Sequence, residues 1–433
     1  MHVKKIRRKK EIVTIVGLGY VGLPLAVLAY SKGYKVYGVA KDRKKIQKLN
    51  RGINILPDAP ELAAIIAKKA IQASNSFDVA KKSNVVIVCV PTPVDKFYNP
   101  DLGPVISASK GIAKNLKKGQ LIIIESTINP GVCEEVVMPI LEATGLRAGK
   151  DFDLAHCPER INPGDPKWHV GNIPRCVGAI TRAGALRAAK FYRSIIDGQV
   201  RVMKSIKEAE ATKIVENSFR DVNIAFVNEL ALSFDKLGID VYDVLQGSAT
   251  KPFAFMAHFP SIGVGGHCIP VDPYYLIERA RLSGFDHKFL KLAREINNHM
   301  PYYCVKALQR NLNELKMSVK GARVGILGLS YKANVGDIRE SPSKKVIEYL
   351  KNLGADVHIF DPYFPDHSTE KTLESVMAHV DAIILATNHR MFIEKLTPAF
   401  IKKYKIKVVI DGKNALDKDG IIARKILYKG VGR

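Results

Sequence analysis

The chain of 433 residues has little that would crosslink it or anchor it in a bilayer. Its six cysteines are Cys89, Cys133, Cys157, Cys176, Cys268 and Cys304, and none stands at CxxC spacing. They are too sparse for a disulfide scaffold and wrongly spaced for structural zinc. The expectation is therefore free thiols in the cytoplasm and no metal site. No apolar run approaches the ~18 residues that cross a membrane, so no membrane partner is expected. Acidic residues are also scarce: 42 Asp and Glu against 67 Lys and Arg leave a net charge of +25. That charge suits nucleic-acid binding, attraction of anionic substrates, or a Lys-rich solvated surface. No zinc finger, RNP or helix-turn-helix signature accompanies it, so a specific nucleic-acid partner is not expected. The one dense basic run, from Lys4 to Lys10, reads as an exposed tail, because Gly17, Gly19, Gly22 and Pro24 break the apolar stretch behind it.

What remains is an ordinary globular balance, 47% hydrophobic and 25% charged, at a length that implies two or three domains. The first segment reads β-α-β. Ile12–Val16 is a β-branched run that stops at a glycine-rich turn, a helical pattern follows to Gly33, and Tyr34–Val39 is the next strand. Val85–Val90 and Leu121–Ile124 are further buried strands, which together imply a parallel sheet with helices on both faces. From about Lys207 to Leu237 no Gly or Pro interrupts a helical pattern, giving one helix about 45 Å long. Arg323–Leu327, Val357–Phe360, Ala382–Leu385 and Val408–Ile410 restore the α/β pattern. The expected fold class is α/β: two Rossmann-like doubly wound parallel-sheet domains joined by a helical central domain. The expected domains are 1–205, 206–315 and 316–433.

Gly17, Gly19 and Gly22 form GxGxxG between a strand and a helix. The glycines permit a tight turn, close approach of a pyrophosphate and close helix–strand packing, so Gly17, Leu18, Gly19, Tyr20, Val21 and Gly22 are candidate dinucleotide contacts. A carboxylate is expected at the end of the second strand to bond the ribose, but Ala40 stands there. Asp42 comes two residues late, between Lys41 and Arg43. Either Asp42 reaches the ribose and NAD binds normally, or the cations accept the 2′-phosphate of NADP.

Cys268 lies in Gly265-Gly266-His267-Cys268-Ile269-Pro270-Val271-Asp272. An accessible thiol in a turn whose glycines admit a substrate, with a carboxylate four residues on, fits a nucleophile with proton management. The other five cysteines fit buried hydrophobes. Lys213 and Asn217 share a face of the long helix, which fits an oxyanion site and, on spacing alone, fits a solvated face better. Pro91 and Thr92 follow one strand, Glu125-Ser126-Thr127 another, and Cys157-Pro158-Glu159-Arg160 lies beyond. Ligands of doubly wound sheets bind at such carboxyl ends.

Together these blocks resemble the UDP-sugar/GDP-mannose 6-dehydrogenase family. They run in the family's order: GLGYVGLPLA (17–26), VPTPVD (90–95), EST (125–127), CPERINPG (157–164), AEATKIVENSFRDVNIAFVNEL (209–230), GVGGHCIPVDPYYL (263–276), LGLSYKANVGDIRESPS (327–343) and DGKNAL (411–416). KPFAFM (251–256) leading into the cysteine block looks most like the branch acting on UDP-N-acetylglucosamine, with the UDP-N-acetylmannosamine branch close behind. The resemblance implies a four-electron oxidation of a sugar C6 alcohol to a carboxylate by two nicotinamide cofactors in turn, on a UDP-sugar substrate. It implies that Cys268 forms a thiohemiacetal and then a thioester, that Asp272 manages protons, and that Lys213 and Asn217 stabilise the oxyanion. Thr127 and Glu159 would position water or the adduct, and Arg339 would reach the cofactor. Glu159, Arg160, Lys213, Asn217, Lys251, Gly265, Tyr331, Lys332 and Lys413 would hold the substrate. Lys413 stands where an arginine is usual, and a lysine cannot make a bidentate phosphate pair. Gly325 and Gly328 do not make GxGxxG, so the last domain is not expected to take a second dinucleotide. The long helix resembles the family's dimer element, implying a homodimer. A two-electron hydroxyacid or sugar-phosphate dehydrogenase of similar layout is the alternative, and it would not need Cys268.

Overall fold

The computed structural model describes residues 11–56, 59–95, 98–161 and 167–433. The basic run 4–10 and residues 162–164 of the CPERINPG block lie outside the described residues. The chain divides into two compact units, Met1–Glu216 with Tyr274–Phe285, and Asn217–Pro273 with Asp286–Arg433.

The first unit is built on eight strands: β1 (Ile12–Val16), β2 (Lys35–Val39), β3 (Ile71–Ser74), β4 (Val85–Val88), β5 (Leu121–Ile124), β6 (Asp153–His156), β7 (Arg175–Ala179) and β8 (Val200–Val202). Their order is β3-β2-β1-β4-β5-β6-β7-β8. Every pairing is parallel except β6 with β7, which is antiparallel and is the one departure from the expected parallel sheet. The central strands are apolar without alternation (VVIV, LIII) because both faces are covered. Val85 and Ile87 join one core, while Val86 and Val88 join the other. Helices α1 (Gly22–Ser31) and α2 (Arg43–Asn50) follow β1 and β2. The ends of β1, β2, β4, β5 and β6 therefore bring Gly17–Gly22, Ala40–Arg43, Pro91–Thr92, Glu125–Thr127 and Cys157–Arg160 to one edge of the sheet.

The long helix runs Ile206–Leu237, 32 residues, one residue longer than the sequence pattern suggested. The second unit contains the helices Val241–Ala249 and Lys288–Glu314 and a second sheet. Its strands are β9 (Arg323–Leu327), β10 (Asp356–Phe360), β11 (Ala382–Leu385), β12 (Val408–Asp411) and β13 (Leu427–Gly430), all parallel in the order β10-β9-β11-β12-β13. One face of this sheet (Val324, Ile326, Ile384, Ile410) packs on Val227 and Ala231 of the long helix and on Cys304 and Leu308. Ile383, Leu385 and Val409 face the other core. The α/β class, the helical central region and the second parallel sheet are as the sequence implied. Among the described residues no helix is long and apolar enough to cross a membrane, and no group of His, Cys, Asp and Glu could hold a metal ion.

Candidate active site

The glycine-rich turn leaves β1 beside the end of β2, where Gly17 N–H bonds Val39 O at 2.8 Å. Gly17 has φ +100°, and a side chain there would run into the Cys89 carbonyl. A side chain at Gly22 would strike the Gly17 carbonyl. At Gly19 a Cβ would meet nothing within 4 Å. The outer glycines thus serve the turn and the packing, and the middle one borders the open space that a pyrophosphate needs, at the start of α1. Those features fit a dinucleotide. Leu18 is buried against Gly38, so what it can offer a ligand is its backbone; the Tyr20 ring is exposed.

At the ribose end, Asp42 is the N-cap of α2. Its Oδ1 accepts Lys44 N–H at 2.8 Å and Lys45 N–H at 3.1 Å. The Lys45 N–H is the largest of the influences that hold this carboxyl below its usual range. The residue that sequence spacing offers as a ribose ligand is engaged in capping, the ordinary use of Asp at a helix start.

Beneath the ends of β5 and β6 lies a dry charge cluster. Arg175, on β7, is fully buried; its Nη1 lies 3.2 Å from Glu159 Oε2 and 3.7 Å from Glu125 Oε1. Glu159 Oε1 accepts Ile161 N–H, while Glu125 accepts from the Tyr192 hydroxyl at 2.5 Å and the Cys89 thiol at 3.7 Å. Burial raises the Glu125 carboxyl, against the pull of Arg175 and with the push of Glu159. In the sequence the only mark of Arg175 and Tyr192 is an arginine in the strand RCVGA. Thr127 is half-buried, and Thr92 O accepts from the Tyr275 hydroxyl at 2.6 Å. Pro91 is exposed. Arg160 grips Glu216 through Nε (3.1 Å) and Nη2 (2.7 Å). Lys213 is almost buried, and His156, by burial first and Lys213 second, is held neutral at about 3.

In the second unit, Cys268 is the only one of the six cysteines that is not buried. Its carbonyl accepts the N–H groups of Val271 (3.0 Å) and Asp272 (2.8 Å), the latter opening helix Asp272–Leu282. Asp272 is buried, and Asn217 Nδ2 donates to its Oδ2 at 2.5 Å. Asn217 is thus brought to Asp272. The glycines before the cysteine do not stand against open space. Side chains at Gly265 and Gly266 (φ +93°) would collide with Tyr331, and at Gly265 also with Glu340 O and Pro342. The missing side chains at 265 and 266 thus make room for the Tyr331 ring. Burial first, then Asp337 and Cys268, raise the Tyr331 phenol. Arg339 is held by Asp337 (Nη2–Oδ2 2.6 Å), and Lys332 is half-buried. Lys251 is exposed, its Nζ 4.8 Å over the Phe253 ring. Lys413 lies near Asp411 and Cys304, and burial lowers it to about 8.

The second sheet fills its own loop. Asp361, just past β10, accepts Leu329 N–H (2.6 Å), Ser330 N–H (2.8 Å) and the Ser330 hydroxyl (3.0 Å) on one oxygen. His389 Nδ1 accepts Asn334 N–H, so its Nε2 carries the proton given to Asp361 at 3.2 Å. Burial raises this carboxyl, but the His389 bond and the loop N–H groups overcome it and bring it to about 2. The backbone donors that would cradle a phosphate already hold a carboxylate.

A phosphate-ready turn in the first sheet and a loop already filled in the second fit an enzyme that takes one dinucleotide, and Cys268 is its partly exposed thiol. Residues 11–196 match the NAD binding domain of the UDP-glucose/GDP-mannose dehydrogenase family, residues 207–299 its central domain and residues 325–418 its UDP binding domain. The chain is 39% identical to UDP-N-acetyl-D-glucosamine 6-dehydrogenase of Pseudomonas aeruginosa, over 92% of this chain and 97% of that protein. It is 35% identical to UDP-N-acetyl-D-mannosamine dehydrogenase of Pyrococcus horikoshii, over 97% and 99%. The solved structure of the Pyrococcus horikoshii UDP-D-ManNAc dehydrogenase superposes with a TM-score of 0.90 at 36% identity, covering 97% of this chain and 99% of that one. The chain belongs to the UDP-glucose/GDP-mannose dehydrogenase family, oxidoreductases acting on CH–OH groups.

Arg175→Met strands two carboxylates in a dry core. It should destabilise the fold by about 3–5 kcal/mol in urea unfolding, the range for breaking a buried pair from one side. Adding Glu125→Gln should restore part of that loss. A single variant as stable as the parent would show that Arg175 does not hold the pair.

Proposed function

We propose that the chain oxidises the C6 alcohol of UDP-N-acetylglucosamine to the uronate through a thioester on Cys268. One observation carries this reading: the single partly exposed cysteine stands four residues before a buried Asp272 that Asn217 holds by a hydrogen bond. Gly17–Gly22, with Pro91, Thr92 and Thr127, would hold a nicotinamide dinucleotide, and two such cofactor molecules in turn would each accept one hydride. The Cys268 thiolate adds to the C6 aldehyde, forming the C–S bond of a thiohemiacetal while Asp272 manages the proton. Lys213 and Asn217 donate to the developing oxyanion. Once C6 is at the acyl level, water positioned by Thr127 and Glu159 attacks, and the C–S bond breaks to return the thiolate. Overall, one alcohol and one water become one carboxylate, two hydrides and three protons.

UDP-N-acetylmannosamine is the second candidate, supported by the relative that matches nearly the whole chain. We assign nucleotide-sugar contacts to Arg160, Lys251, Gly265, Tyr331, Lys332 and Lys413, and a cofactor contact to Arg339. The working division is 1–205 for the dinucleotide, 206–315 for the centre and 316–433 for the nucleotide sugar. Val215, Phe219 and Phe226 form an exposed apolar stripe on the long helix, which supports a homodimer through that element. Six cysteines outside any disulfide and a phosphorylated substrate fit the cytoplasm.

With UDP-N-acetylglucosamine, two equivalents of reduced cofactor should form per sugar, and Cys268→Ala should lose turnover. One equivalent per sugar, or an active alanine variant, would leave a two-electron dehydrogenase.

Lys413 supplies a pH dependence. Its lowered value means it is charged below about pH 8 and neutral above. A diphosphate favours the charged form, so UDP affinity should be full below that pH. It should then fall as pH rises, by at most about tenfold per unit. In Lys413→Arg the fall should vanish in calorimetric titrations. The same profile in both proteins would remove Lys413 from the diphosphate site.

A further inference from the structure

The cofactor's adenosine end is where this chain departs from a plain NAD site. The turn carrying Gly17 is bonded to Val39 O, which fixes the end of β2 beside the glycine loop. The next residue, Ala40, bonds Ser74 O through its N–H and carries no acid. An acid at that position accepts the ribose hydroxyls and repels a 2′-phosphate; without it both effects are gone. Asp42, two residues on, has its Oδ1 committed to two N–H groups of α2, and Lys41 and Arg43 flank it. Around it, Lys41, Arg43, Lys44 and Lys45 are all exposed, and none forms an ion pair among the described residues. Four cations against one capped carboxylate make this corner strongly positive. Guanidinium and ammonium groups are the usual ligands of a phosphate dianion.

We propose that Ala40, Lys41 and Arg43 form a 2′-phosphate subsite, so that the protein binds NADP more tightly than NAD. The proposal rests on the dinucleotide reading of residues 17–22 and not on the thioester chemistry. Ala40 provides the room and the absence of repulsion, and Lys41 and Arg43 provide the charge. Asp42 acts as a positioning residue that fixes the first turn of α2 between them.

The test is binding of 2′,5′-ADP and of 5′-AMP to the full chain by calorimetry, with NADP and NAD as a second pair. The 2′-phosphate should tighten binding by about tenfold or more, the worth of a charge-assisted hydrogen bond, and added salt should shrink that advantage. Lys41→Ala with Arg43→Ala should abolish the advantage while 5′-AMP still binds. Ala40→Asp should reverse the preference towards NAD. Equal binding of the two nucleotides, or an advantage untouched by the double substitution, would overturn the subsite and assign these cations to the solvated basic surface. Binding of neither nucleotide would contradict the dinucleotide site itself, an outcome distinct from a failure of the 2′-phosphate reading.

Discussion

A loop that leaves a parallel strand for a helix exposes backbone N–H groups that nothing in the strand satisfies. The two sheets of this chain meet that demand in opposite ways. After β1, glycines keep the loop tight and the space at Gly19 empty of side chains, so an incoming anion can be the partner. After β9, Asp361 supplies a permanent carboxylate to Leu329 and Ser330, and His389 locks that carboxylate in place. The same supersecondary unit is a cofactor cradle in one sheet and a fixed scaffold for Tyr331 and Lys332 in the other. The difference lies in a few atoms, and it divides the labour between the two sheets.

A similar economy governs the buried charges. A carboxylate in a dry core persists only if it is paired and hydrogen-bonded. Glu125 and Glu159 share one guanidinium, and their remaining oxygens are held by a phenol, a thiol and a backbone N–H. This rigid base lies directly under the ends of β5 and β6, where Thr127 and Glu159 are assigned to water. Asp272 is likewise fixed, by Asn217, one turn beyond Lys213 on the long helix. In each unit, then, the carboxylates assigned to the chemistry are held by named neighbours.

Much of the fold is legible in the sequence because its signals are local. Ile12–Val16, Leu121–Ile124, Arg323–Leu327 and Ala382–Leu385 read directly as strands, since four or five consecutive β-branched or apolar residues bounded by turns have few other uses. The fingerprint glycines and Cys268 are legible for the same reason. What was not legible is pairing at a distance. Arg175 meets Glu125 from two strands away in the sheet. The glycines at 265 and 266 fit Tyr331, some sixty-five residues on. Asp42 caps α2, and only the backbone around that helix reveals it. The antiparallel turn of β7 had no local mark either.

The central claim is that the second oxidation occurs on a carbon bonded to Cys268. The most direct measurement is mass analysis of the Cys268 peptide after Glu159→Gln protein has been mixed with UDP-N-acetylglucosamine and oxidised cofactor and quenched in acid. Slowed hydrolysis should leave the uronyl group on Cys268 as a thioester that hydroxylamine removes. An unmodified peptide, found while reduced cofactor accumulates beyond one equivalent per active site, would contradict the account.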